Sequence, residues 1–175
     1  AMKNDERLSG ALQENILTLL CFDDVNCKLV RAAVSPQLFE SSVFREVAGH
    51  AIDFIDQYGE AIKDHLPDHL EGILNGDDQR KASTYKRLVD NLFQARESIN
   101  GEYILTQLHK FVRQQRLKSG VIEAVEALEA GDIDKAEVRT RAVTRKLKDV
   151  EALPAPEAVA LLGEEYGETC MAVND

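Results

Sequence analysis

Two histidines, His65 and His69, stand four residues apart with Asp64, Asp68 and Glu71 beside them. On a helix that spacing sets two imidazoles on one face, where they can share a metal ion with a carboxylate. Pro67 lies between them and weakens the case, because its ring opposes a regular helix through both. No Glu follows the first His as in H-E-x-x-H, so a solvated polar turn is the better reading. The remaining candidates for chemistry are weaker. No G-x-x-x-x-G-K-[ST] phosphate loop occurs, and no Ser, His and Asp arrangement can be argued from spacing. Cys21, Cys27 and Cys170 are odd in number and have no C-x-x-C spacing, which speaks against a disulfide framework and against zinc. Cys21 and Cys27 sit among apolar residues and read as small, reduced core side chains of a cytoplasmic protein. The sequence thus points away from an enzyme: no catalytic, cofactor-binding or metal-binding residue is expected.

Charge narrows the function classes further. The chain is acidic, with a formal charge of −10 over 175 residues, which weighs against wholesale phosphate binding. The charge is uneven: from Tyr103 to Lys148 there are ten Lys or Arg against six Asp or Glu, a local +4 that leaves −14 elsewhere. Arg139, Arg141, Arg145, Lys146 and Lys148 have no interleaved aromatics, so a solvated or interface face fits them better than a nucleic-acid site. Nucleic acid is expected only weakly, or through a parent protein. No apolar run approaches the roughly 20 residues of a membrane span, and no membrane contact is expected. The N-terminus lacks the apolar stretch of a secretory signal. Ala1 before Met2 reads as a cloning remnant, and the end at Val173-Asn174-Asp175 as the cut end of a longer protein.

These residues must be positioned by helices. Leu12, Ile16, Leu19 and Leu20 recur at helical spacing, and Asp23-Asp24 breaks the run and caps a second helix carrying Val25, Leu29, Val30 and Ala33. Ser35-Pro36 opens a short turn ending at Leu38-Phe39. Phe44, Val47, Ala48, Ala51, Ile52, Ile55 and Tyr58 mark the clearest helix, closed by Gly59. Leu70, Ile73 and Leu74 continue briefly, and Asp77 caps a helix through Tyr85, Leu88, Val89, Leu92 and Phe93. Glu102 to Ala130 then reads as one long helix of about 43 Å. Gly131-Asp132 closes it and caps a partner helix from Ile133 to about Leu153, stopped by Pro154 and Pro156. The expected fold is all-α: a helical bundle over residues 11–100, a long antiparallel hairpin over 101–153, and a linker or short terminal helix over 154–175.

The second helix of that hairpin carries few large apolar residues. The first presents Leu105, Leu108, Phe111, Val112, Val121, Ile122, Val125 and Leu128, more than so sparse a companion can cover. Self-association through these residues is therefore expected, unless residues 11–100 fold back over the stripe. Gly120, in mid-helix, is either tolerated or a point of close helix approach across that interface.

The stretch from Glu14 to Ile62 resembles the N-terminal domain of DnaB-type replicative DNA helicases, of phage or prophage type among others. Its opening Glu14-Asn15-Ile16-Leu17-Thr18-Leu19-Leu20 is similar to the family's E-x-x-x-L-L helix. Phe39, Phe44, Arg45, Val47, Ala48, Ala51, Ile52, Ile55 and Gly59 follow its F-x-x-x-x-h-R-x-I-F-x-A-I-x-x-L pattern. The hairpin from Phe111 to Val143, with Gly131-Asp132 at its tip, looks like the family's helical hairpin, so the resemblance covers most of residues 11–150. It implies a non-catalytic domain that precedes a linker and a RecA-like ATPase. It also implies assembly as a dimer or hexameric collar through hairpin pairing, and docking of a primase or helicase loader. The alternative is an unrelated all-helical adaptor or regulator that dimerises through the same hairpin.

Overall fold

The computed structural model describes residues 8–151, and the chain is all-helical over them. α1 (Gly10–Phe22) is capped by Ser9, whose hydroxyl accepts the Leu12 N–H. Ile16, Leu17, Leu19, Leu20 and Cys21 are all fully buried, so α1 is wrapped on nearly every side. It packs against α2 (Cys27–Ala33), α3 (Ser42–Tyr58), α6 (Gln79–Ala95) and α7 (Gly101–Glu129). Buried Gln13 ties this centre to its surroundings: its amide donates to the Leu8 carbonyl and its oxygen accepts the Glu40 N–H.

Local chemistry explains most boundaries, and two expected ones move. The Asp23 carboxylate accepts the backbone N–H groups of Val25 and Asn26, closing a turn rather than a helix. α2 therefore starts at Cys27, and Val25 is carried outward with 81% of its surface exposed. Asp78, not Asp77, caps α6 by accepting the Lys81 N–H. Pro36 and Gly59 stand at the helix ends where expected, while Ser35 makes no side-chain cap bond and the Ser41 cap was not foreseen. Pro36–Leu38 forms a 3-10 turn, Ser41 caps α3, and Gly59 ends it at φ +74°, a conformation that favours glycine. Tyr58, placed on the apolar face by its spacing, points outward at the last turn. A 3-10 turn at Lys63–His65 leads into α4 (Leu66–His69) and α5 (Glu71–Leu74), with Pro67 in the first turn of α4, where no N–H is required.

α7 and α8 (Ile133–Glu151) are joined at Gly131, φ +79°, with Asp132 capping α8 through the Lys135 N–H. Gly120 meets Val143, and Glu123 meets Arg139 at 3.5 Å, so α8 runs back along α7. Among the described residues, a large buried cluster runs from Leu8 to Val112 and includes Ile104, Leu105 and Leu108. The first third of α7 thus belongs to the same core as α1 to α6, and the expected unit boundary at residue 101 marks a helix start, not the end of that core. The expected linker over 154–175, with Pro154, Pro156 and Cys170, lies outside the described residues, as do the side chains of Leu147 and Val150.

Candidate docking surface on α7 and α8

The nine residues expected to form a self-association stripe fall into three groups. Leu105, Leu108 and Val112 keep 0–2% of their surface and belong to the core, so they have nothing to offer a partner. Residues 11–100 do fold back over this part of α7, because α1 and α2 pack against it. Phe111 is half-buried against the same core. Gly120 is a close approach, but to its own chain: a Cβ there would run into the Val143 side chain. The third group remains open. Val121, Ile122, Val125 and Leu128 each keep 47–54% of their surface, and Leu117, Ile133 and Val138 join them at 46–63%. The site expectation omitted these last three. Leu117 was legible, since it shares a face with Val121, Val125 and Leu128 at helical spacing.

The seam of the α7–α8 pair explains why large residues are left outside. From 113 to 145, the buried residues are Gly120, Ala127 and Ala136. Small side chains let the two helix backbones approach closely and turn the Leu and Val residues of α7 to a neighbouring face. Near the tip, Ala124, Leu128, Ile133 and Ala136 line a shallow groove of about 320 Å³ with Glu137, Thr140 and Arg141. Charged pairs frame the surface: Arg139 with Glu123 at 3.5 Å and Arg141 with Glu137 at 3.6 Å, all well exposed. Such pairs add little to stability and more to the choice of partner. Aliphatic side chains of this kind bind by excluding water and carry no acid–base chemistry.

The titratable groups elsewhere are arranged as parts of the fold. Two histidines pack on Phe54 and a third joins them: His65 stacks on its ring and His69 meets its edge, each at 5.8 Å, while His50 meets His69 at 5.9 Å. The turn carrying His65 and His69 is thus exposed, as expected, but its imidazoles pack on an aromatic ring and are not merely solvated. Among the described residues no group of three or more His, Cys, Asp or Glu is placed to hold a metal. Burial pushes the Cys21 thiol far up, and burial with the nearby Asp24 carboxylate raises Cys27. Both are free thiols. Tyr85 is pushed up to about 12 by burial and by its hydrogen bond to Glu46. His109 is lowered by burial and by Arg113. Asp24 is held low by the ammonium of Lys63, which pairs with it on the surface.

No helix among the described residues is long and apolar enough to cross a membrane. The chain matches none of the protein families, curated proteins or solved structures with which it was compared.

Proposed function

We propose that this chain is a non-catalytic assembly and partner-docking domain. In this reading α1 to α6 and the start of α7 form a bundle, and the remainder of α7 with α8 forms a hairpin through which the chain self-associates. One observation carries it: from residue 113 to 145 the residues that are buried are Gly120, Ala127 and Ala136, while Leu117, Val121, Val125 and Leu128 stay half-exposed on one face. Fully burying each such side chain is worth about 1.5–3 kcal/mol, so covering four of them is a substantial drive toward association. Sedimentation equilibrium tests this. The wild type is expected to associate in the micromolar range and Val125→Asp to stay monomeric with unchanged helix content. A wild type that remains monomeric at several hundred micromolar would remove the proposal.

The parent activity we propose is that of a DnaB-type replicative helicase, with this domain in its collar and a primase or loader among its partners. The sequence pattern from Glu14 to Gly59 and the order of elements support that assignment. It requires the reading frame after Asp175 to encode a G-x-x-x-x-G-K-[ST] loop within a RecA-like domain. A frame that encodes none would leave the adaptor reading in its place.

A further inference from the structure

We infer that His50 and His69 form a two-imidazole site for a divalent late transition-metal ion. Imidazole is a preferred ligand of nickel, copper and zinc, and two such ligands need not be neighbours on one helix. Here the fold supplies the pairing. His50 lies on α3 and His69 ends α4, and their ring centres stand 5.9 Å apart with the rings inclined at 62°. Metal–nitrogen bonds of about 2.0–2.1 Å set two bound rings roughly 5–6 Å apart, as the angle at the metal opens from tetrahedral toward planar. His50 is half-buried, whereas His69 is exposed and can turn about its side-chain torsions to bring a nitrogen to a point shared with His50.

His65 is the poorer partner in spite of its spacing from His69. Pro67 stands in the first turn of α4, so His65 belongs to the preceding 3-10 turn, and its ring lies within 22° of parallel to Phe54. No set of three or more ligands is placed to hold a metal among the described residues, so water completes the shell around a metal held by the pair. The local charge favours a cation. From Asp53 to Glu71 there are six Asp or Glu against one Lys, a net −5 that stays negative after Arg31 and Arg96 pair with Asp56 and Asp64. A metal held this way ties α4 to α3, and by binding the folded chain it adds to the stability of the body.

Calorimetric titration of the untagged chain with Ni2+ tests this, with circular dichroism as the check on folding. Loss of an outer-shell partner alone weakens metal sites about tenfold, so His50→Ala and His69→Ala are each expected to bind Ni2+ at least that much more weakly than the wild type. His65→Ala and His109→Ala are expected to bind as the wild type does. Cu2+ is expected to bind more tightly than Ni2+, and excess Mg2+, which prefers oxygen ligands, is expected not to displace it. Ni2+ should also raise the melting temperature of the wild type while leaving that of the His50 and His69 variants unchanged. If His50→Ala does not fold, His50→Gln, which keeps a polar side chain, takes its place. A wild type that takes up no Ni2+, or equal affinity in the wild type and the His50 and His69 variants, would overturn the site. Binding lost with His65→Ala would overturn it in favour of the closer-spaced pair, and displacement by Mg2+ in favour of the carboxylates.

Discussion

Leu108 and Leu117 occupy one helix nine residues apart, yet the first is fully buried and the second 46% exposed. Val112 and Val121 repeat the contrast at the same interval. The two ends of α7 are built on opposite rules. Toward its start, Ile104, Leu105, Leu108 and Val112 belong to the same buried core as Leu17, Leu20, Phe39 and Leu92, in which several helices converge on α1. Toward its end it runs beside α8, where Gly120 meets Val143 and the buried residues are Gly120, Ala127 and Ala136. Close packing of many large groups makes a body stable by itself, whereas a seam of small groups makes a precise but shallow contact. The distal hairpin is therefore the region whose stability can be raised most by something outside the chain.

The largest expected effect breaks the body. Leu108→Ala is expected to cost about 2–5 kcal/mol of global stability, whereas Leu117→Ala should change the monomer by no more than about 0.5 kcal/mol. Urea denaturation below the association range checks both, and equal costs would erase the contrast. A smaller, local effect is expected at the seam. Gly120→Leu gains helix propensity but drives its side chain into Val143, for a net loss of about 1–3 kcal/mol confined to the hairpin. Hydrogen exchange should show α8 losing protection while α1 keeps it. The same loss in α1 would mean that the hairpin and body unfold as one unit.

The smallest effect is a pH dependence of the body. Burial holds the Cys21 thiol above its ordinary value of 9.0, so the folded chain keeps a proton that the unfolded chain releases. That contribution is fully present below about pH 9 and is lost as pH rises beyond it, by up to about 1.4 kcal/mol per pH unit. Thermal melts from pH 8 to 10.5 should fall more steeply for the wild type than for Cys21→Ala. Parallel slopes would show that the thiol is not the group responsible.

The sequence made the caps legible because their chemistry is local. Pro36 opens its turn, Gly59 ends α3, and Gly131-Asp132 closes one helix and caps the next, each within a few residues, although Ser35 makes no side-chain cap bond. The same locality misled at Asp23, whose carboxylate could cap a helix or close a turn, and the turn won. The covered and uncovered parts of α7 were not legible, since Leu105 and Leu128 look alike until α1 and α2 are placed against the first. Gly120 announced a close approach without naming its partner, which is Val143 on the returning helix. The histidine cluster on Phe54 needed α3 and α4 to be brought together before His50 could meet His69.

Amide hydrogen exchange measured across a dilution series tests the central claim most directly, since it reads body and hairpin in one sample. Protection in α1, whose core does not depend on a partner, is expected to stay constant with concentration. Protection from Leu117 to Leu128 is expected to rise as concentration climbs through the association range, because pairing covers the half-exposed stripe and closes its helix. A distal α7 as protected as α1 at the lowest concentration, and unchanged at the highest, would contradict the account.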